Sequence, residues 1–277
     1  MPKSISGTTR LVGIIGSPVD HSLSPRMQNA AFDELALDWA YVPLPVEEAR
    51  VGAAVEGLRA LGFAGANVTI PHKSAVLEHC DIIEPAAQRS GSANTLIVND
   101  GAIVATSTDG EGVAGGLQVE SSQCLVLGAG GASRPVVVAL ADAGAARVVL
   151  AARRGEAAEQ LAGELAKLET ECEIVADTAW PPTTHADVVV NATPIKDDVI
   201  VGLSREQQLV DLAYRTDGKP TALVAAAHAA GCSRVVDGFE FLVRQGAASF
   251  ERWTGLSAPI EVMRAAIVGQ RIESDGG

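Results

Sequence analysis

Short runs of Val, Ile and Leu alternate along this chain with Ala/Leu/Glu-rich stretches of helical length. Strands buried on both faces carry near-continuous apolar side chains, and the helices that cross between them repeat with the helical period, so this alternation reads as a parallel sheet with crossover helices. The fold class is therefore α/β. The pattern predicts strands at Leu11 to Ile15, Trp39 to Leu44, Gly65 to Ile70, Thr95 to Val98, Ala102 to Ala105, Gln123 to Leu127, Arg147 to Ala151, Cys172 to Ala176, Val188 to Asn191, Leu209 to Leu212 and Ser233 to Asp237. Helices fall between most of them. No internal repeat and no low-complexity linker interrupts the pattern, and the terminal ESDGG is expected to fray.

Against a prior of roughly 150 residues per domain, 277 residues call for two domains, and 47% hydrophobic residues is ample for two cores. The clearest boundary lies near Gly112 to Ser122, just before a strand that ends in a glycine cluster, "CLVLGAGGASRPVVVAL". Gly128-x-Gly130 at the end of that strand fits a phosphate-binding turn. Without Cβ atoms the backbone can approach a pyrophosphate, and the N–H groups opening the next helix favour its charge. The third position of the dinucleotide pattern is Ser133 rather than glycine. At the end of the following strand, "VVLAARRGE" offers Arg153 and Arg154 and no carboxylate. Arginine there suits a ribose 2′-phosphate, whereas Asp or Glu would suit a free 2′-hydroxyl, so NADP is favoured over NAD.

Charge narrows the partners. The chain carries −13 at neutral pH without a Lys/Arg run able to neutralise a phosphate backbone, which argues against nucleic acid. Cys80, Cys124, Cys172 and Cys232 are scattered, with no CxxC pair and no clustered His, so reduced, buried thiols and no metal site are expected. The apolar run Leu11 to Ile15 is too short for a signal peptide, and Pro135 to Leu150 is broken by Asp142, Gly144 and Arg147. A cytoplasmic protein with no membrane partner is expected.

Candidate chemistry gathers in the first part of the chain. In "NVTIPHKSAV" a strand runs into Pro71, and Lys73 follows before an apolar helical pattern. Ser22 and Ser24 alternate between a strand and a helix, so both hydroxyls can face one carboxylate, while Ser24 before Pro25 also fits a helix N-cap. Asn94 in "GSANTL" and Asp109 in "STDGEG" stand beside predicted strand ends, where open α/β sheets place ligand sites. His72 points about 100° away from Lys73 on a helix and is read as surface or packing. Asp197 and Asp198 are read as a solvated loop.

Taken in order, Ser22-Leu23-Ser24, Asn67-Val-Thr69-x-Pro71-x-Lys73, Gly91-Ser-Ala-Asn94-Thr, Thr108-Asp109-Gly, Gly128-Ala-Gly-Gly-Ala, Asn191-Ala-Thr-Pro, Asp211-x-x-Tyr214 and Gln245 with Trp253-Thr-Gly255 resemble the shikimate dehydrogenase family, from about Gly13 to Ala266. The resemblance implies NADPH-dependent reduction of 3-dehydroshikimate to shikimate in a cleft between two domains. One domain would be a mainly parallel α/β substrate domain, residues 1–112 plus 243–277, and the other a Rossmann-like NADP-binding domain, residues 113–242. It further implies that Ser22 and Ser24 hold the substrate carboxylate and that Thr69, Asn94, Tyr214 and Gln245 meet its ring hydroxyls. Gly128, Ala129, Gly130, Gly131, Ala132, Arg153, Arg154, Thr193, Leu212 and Gly238 would bind the cofactor, and Lys73 with Asp109 would form the catalytic pair. Hydride arriving at a ketone leaves negative charge on oxygen, which an ammonium both stabilises and protonates.

Some positions depart from the family's usual pattern. Ala152-Arg153-Arg154 replaces Asn-Arg-Thr, Lys196-Asp197 replaces Gly-Met, and Glu240-Phe241 replaces Gly-Met near the nicotinamide end. Ser24 argues for shikimate over quinate, and retention of Lys73 and Asp109 argues against a catalytically silent NADP- or metabolite-binding relative. Activity on quinate or an amino analogue, use of NAD, and a monomer or a homodimer stay open at this point.

Overall fold

Alternate residues of each central strand point to opposite faces, and here both faces are apolar, which commits the strands to a sheet covered on both sides. A computed structural model of the protein describes residues 5–115 and 117–268. In chain order its elements are β1 (Arg10–Gly16), α1 (Ser24–Glu34), β2 (Trp39–Pro45), α2 (Val51–Ala60), β3 (Gly65–Val68), β4 (Ile82–Ile83), α3 (Pro85–Ser90), β5 (Thr95–Asn99), β6 (Ala102–Thr106) and α4 (Asp109–Ala114). They continue with β7 (Gln123–Leu127), α5 (Ser133–Asp142), β8 (Arg147–Ala151), α6 (Gly155–Leu165), β9 (Glu173–Asp177), β10 (Val188–Asn191), β11 (Gln208–Asp211), α7 (Ala222–Ala230), β12 (Arg234–Val236), α8 (Gly238–Thr254) and α9 (Ile260–Val268).

The described chain forms two compact units. One runs up to Thr108 and from Val243 to the last described residue; the other is Asp109–Leu242. The first holds a six-stranded sheet in the order β2-β1-β3-β5-β6-β4. Its pairs β1–β2, β1–β3 and β4–β6 are parallel, and β3–β5 and β5–β6 are antiparallel. One face packs Ile15, Ala66, Leu96 and Ile103 against Val51, Val55 and Leu58 of α2. Elsewhere in this unit Phe32 of α1 stacks on Phe250 of α8, with ring centroids 5.3 Å apart.

The second unit is an all-parallel sheet in the order β12-β11-β10-β7-β8-β9, a doubly wound arrangement. Cys124 and Val126 of β7 face Val136 and Leu140 of α5, whereas Leu125 and Leu127 face Leu223, Val224 and Ala227 of α7. Alternation within one strand thus supplies both cores.

Several details differ from the sequence reading. The third strand stops at Val68 because the chain then turns, with His72 N donating to the Thr69 carbonyl at 2.9 Å. The apolar pattern after Lys73 forms only a short 3-10 turn, Ala75–His79. Strand β4 was not predicted; two exposed residues at a sheet edge carry no periodic signal. Ser24 does not cap α1 but is its first residue, and Leu23 takes the cap position without a side-chain bond. Cys80 and Cys232 are only half-buried, although all four thiols are free. The expected fraying of ESDGG falls outside the described residues.

Candidate active-site residues

In the first unit Ser22 and Ser24 follow β1, Thr69 and Lys73 follow β3, Asn94 immediately precedes the antiparallel β5, and Gln245 lies on α8. Lys73 sits on the turn after β3, half-buried, and its carbonyl accepts the Ala93 N–H at 2.8 Å, which ties the lysine turn to the loop carrying Asn94. His72 is fully buried with Nε2 2.6 Å from the Val46 carbonyl, so it is a packing residue and not a surface one. Ser22 is half-buried, and its Oγ accepts the Ser24 N–H at 3.3 Å. Ser24 is buried. Thr69 lies against Gly16, where an added Cβ would stand 2.3 Å from the threonine methyl.

Asn94 and Gln245 meet in the same unit, Asn94 Nδ2 donating to Gln245 Oε1 at 3.2 Å. Asn94 also receives the Thr108 N–H on Oδ1 at 2.8 Å and donates from Nδ2 to Thr108 Oγ1 at 2.9 Å. Beneath this pair lie Asn67, Thr95 and Ser249, all buried and mutually hydrogen-bonded. Sequence reading singled out none of these three, nor Tyr41, for a role. Their signal is weak: polar residues at strand positions flanked by buried ones, and a serine four residues after Gln245 on one helix.

In the second unit Asp109 opens α4 and is buried. The next residue must be small, because a Cβ on Gly110 would come within 2.9 Å of the Ala139 methyl on α5. The predicted cofactor residues lie at the ends of adjacent strands. Gly128 follows β7 at φ +113°, and a Cβ there would sit 3.1 Å from the Ala192 carbonyl oxygen. Gly130 and Gly131 would meet no atom within 4 Å. Helix α5 then begins without a side-chain cap and without an acidic residue in its first turn. The buried Ser133 Oγ at that helix start has no protein partner. An open glycine turn, an uncapped helix start and an orphan hydroxyl fit the pyrophosphate of a dinucleotide. Arg153 and Arg154 are exposed after β8, next to β7 in the sheet.

A second polar cluster braces the strand ends beside that turn. Asn191 Oδ1 accepts from the Thr193 amide at 3.0 Å and from its hydroxyl at 2.7 Å, while Nδ2 donates to Asp211 Oδ1 at 2.8 Å. Thr221 Oγ1 and the Ala213 amide complete the set on Asp211, at 2.5 Å and 3.0 Å. Burial raises the Asp211 carboxyl above its ordinary range, against the lowering pull of these donors. Leu212 N donates to the Asn191 carbonyl at 2.9 Å. Gly238 packs so tightly that a Cβ would stand 2.2 Å from the Ala213 carbonyl oxygen, and the Tyr214 and Phe239 rings lie 5.4 Å apart.

The departures have local explanations. Phe241 packs against the second unit's core, and Asp237 Oδ1 accepts the Glu240 N–H at 2.9 Å. Lys196 places its ammonium 5.9 Å from the Tyr214 ring centre. Asp197 is not simply solvated, because it pairs with Arg215. Among the described residues no group of three or more His, Cys, Asp or Glu could hold a metal, and no helix is long and apolar enough to cross a membrane.

Three family models match consecutive parts of the chain: the shikimate dehydrogenase substrate binding domain over residues 14–96, shikimate/quinate 5-dehydrogenase over 113–224, and the shikimate 5′-dehydrogenase C-terminal domain over 238–268. The shikimate dehydrogenase (NADP(+)) of Methanothermobacter thermautotrophicus is 41% identical over 279 residues, covering 95% of this chain and 97% of the relative. A shikimate dehydrogenase crystallised with NADP+ superposes with a TM-score of 0.86 at 34% identity, covering 98% of each chain. The Thermus thermophilus shikimate 5-dehydrogenase, crystallised with NADP(H) and shikimate, gives 0.81 at 33% identity, covering 94% of this chain and 99% of that one.

Proposed function

Because the chain belongs to the shikimate dehydrogenase family, we propose that it interconverts 3-dehydroshikimate and shikimate with NADP(H). The observation that carries this reading is the 41% identity to an NADP-named shikimate dehydrogenase over 95% of the chain. When bound, NADPH supplies the hydride. The glycine turn at Gly128 to Ala132 and the start of α5 hold the pyrophosphate, Arg153 and Arg154 take the 2′-phosphate, and Thr193, Leu212 and Gly238 line the remainder of the cofactor's path.

On the substrate side Ser22 and Ser24 take the carboxylate, and Thr69, Asn94, Tyr214 and Gln245 take the ring hydroxyls. Lys73 Nζ hands a proton to the carbonyl oxygen as negative charge develops there, and takes one back in the reverse direction. Asp109 orients the amine. Two arginines in place of an acidic residue support NADP over NAD, and Ser24 supports shikimate over quinate.

The test is the absorbance of NADPH on mixing the purified chain with shikimate and NADP. It is expected to rise with shikimate and more slowly with quinate. Lys73→Ala is expected to lose about 10²- to 10⁴-fold in kcat with a smaller change in KM. A flat trace with both NADP and NAD overturns the proposal.

A further inference from the structure

The polar residues beneath Asn94 and Gln245 form one connected layer. We infer that Ser249, at its centre, is a positioning residue that holds Asn67, Thr95 and Thr108 against the Asn94 and Gln245 amides, and so governs substrate binding. This rests on the function proposed above.

The geometry fixes the hydrogens. The Thr108 N–H can only donate, so the Asn94 atom 2.8 Å from it is the oxygen, and Asn94 Nδ2 is left on the side of Thr108 Oγ1 and Gln245 Oε1. Asn94 Oδ1 is held there by a second donor, Thr95 Oγ1 at 3.0 Å. With its one hydrogen committed to Asn94, the Thr95 oxygen accepts from Asn67 Nδ2 at 3.2 Å and has Ser249 Oγ 2.8 Å away. Ser249 in turn accepts from Asn67 Nδ2 at 2.9 Å, and Asn67 Oδ1 accepts the Tyr41 hydroxyl at 2.8 Å. Donors thus run from Tyr41 through Asn67 and Thr95 to the Asn94 oxygen, with Ser249 against both Asn67 and Thr95 and donating to the Gln245 carbonyl.

Ser249 is fully buried and also lies 3.3 Å from Thr108 Oγ1 and 3.1 Å from the Gln245 carbonyl. It therefore touches the neighbours of both proposed ligand amides. Removing the hydroxyl takes one hydrogen bond each from Asn67 and Thr95 inside a buried layer, so the Thr95 hydroxyl that supports the Asn94 oxygen is held less firmly.

Ser249→Ala and Thr95→Val are measured beside Phe250→Leu, a change at the next position of α8 that loosens the packing on Phe32 without touching the layer. Both hydroxyl deletions are expected to raise KM for shikimate about tenfold and to leave KM for NADP within about twofold. Phe250→Leu is expected to lower Tm while leaving both constants unchanged. Should Ser249→Ala not fold, Thr95→Val, which keeps the side-chain shape, decides alone. Unchanged shikimate KM in the hydroxyl deletions, or an equal rise in Phe250→Leu, overturns the inference while an active parent enzyme leaves the proposed function standing. A parent chain inactive on shikimate with NADP overturns both.

Discussion

Asp211 has three hydrogen-bond donors, from Asn191, Ala213 and Thr221, on a carboxylate with no exposed surface. An acid whose folded value is raised holds its proton longer when folded than when unfolded, so stability falls as pH climbs from the ordinary Asp range through the raised folded value. Asp211→Asn removes that titration but turns an amide donor toward a donor. It is expected to cost about 1–3 kcal/mol in urea unfolding at neutral pH and to flatten the pH dependence just above the ordinary Asp range. An unchanged midpoint would mean that the three bonds constrain nothing. Asn191 and Asp211 are visible in the sequence as members of short motifs, but the bracing they share is not. Their partner Thr221 is the N-cap of α7, outside both motifs, and only the parallel pairing of β10 with β11 brings Asn191 and Asp211 side by side. The same holds more strongly for Asn67 and Ser249, which bond across 182 positions of chain. By contrast Lys73, Asn94 and Gly128 stand out in the sequence because each is a chemically distinctive residue near a strand end.

Strands β7, β8 and β10 coincide with their predicted limits because each is a run of apolar residues bounded by polar or small ones and buried on both faces. The third strand was overextended because Ile70 continues the apolar run, yet it is 67% exposed on the turn into Pro71. Hydrophobicity marked it, and the backbone overruled it. Gly65, at the start of β3, shows a constraint that no periodicity carries. A Cβ there would stand 2.2 Å from the Leu96 carbonyl oxygen and 2.5 Å from Trp253 Nε1. That nitrogen donates to the same carbonyl at 2.9 Å, joining α8 to the sheet. Gly65→Ala forces apart either the β3–β5 pairing or the indole bond. A loss of about 1–3 kcal/mol is expected, with red-shifted tryptophan emission as the indole is displaced. Preserved emission and midpoint would show that the strand yields without strain.

The chain as a whole carries 34 acidic against 21 basic residues, so the proposed 2′-phosphate contact depends on the adjacent pair Arg153 and Arg154 and not on the net charge. The division into two units follows from two uninterrupted sheets, each with its own helices. The chain departs from the first unit after Thr108 and rejoins it at Val243, and Thr108 Oγ1 bonds the Gln245 carbonyl at 3.0 Å. The two severed ends produced by cutting out residues 109–242 would therefore be near neighbours, and a linker of two or three glycines would bridge them. No strand of the six-stranded sheet would be lost, so the shortened protein is expected to keep a dispersed NMR spectrum, and an aggregate in its place would refute this. Seen this way, residues 109–242 are a cassette spliced into a host, and grafting a different nucleotide-binding cassette at the same seam becomes a practical engineering route.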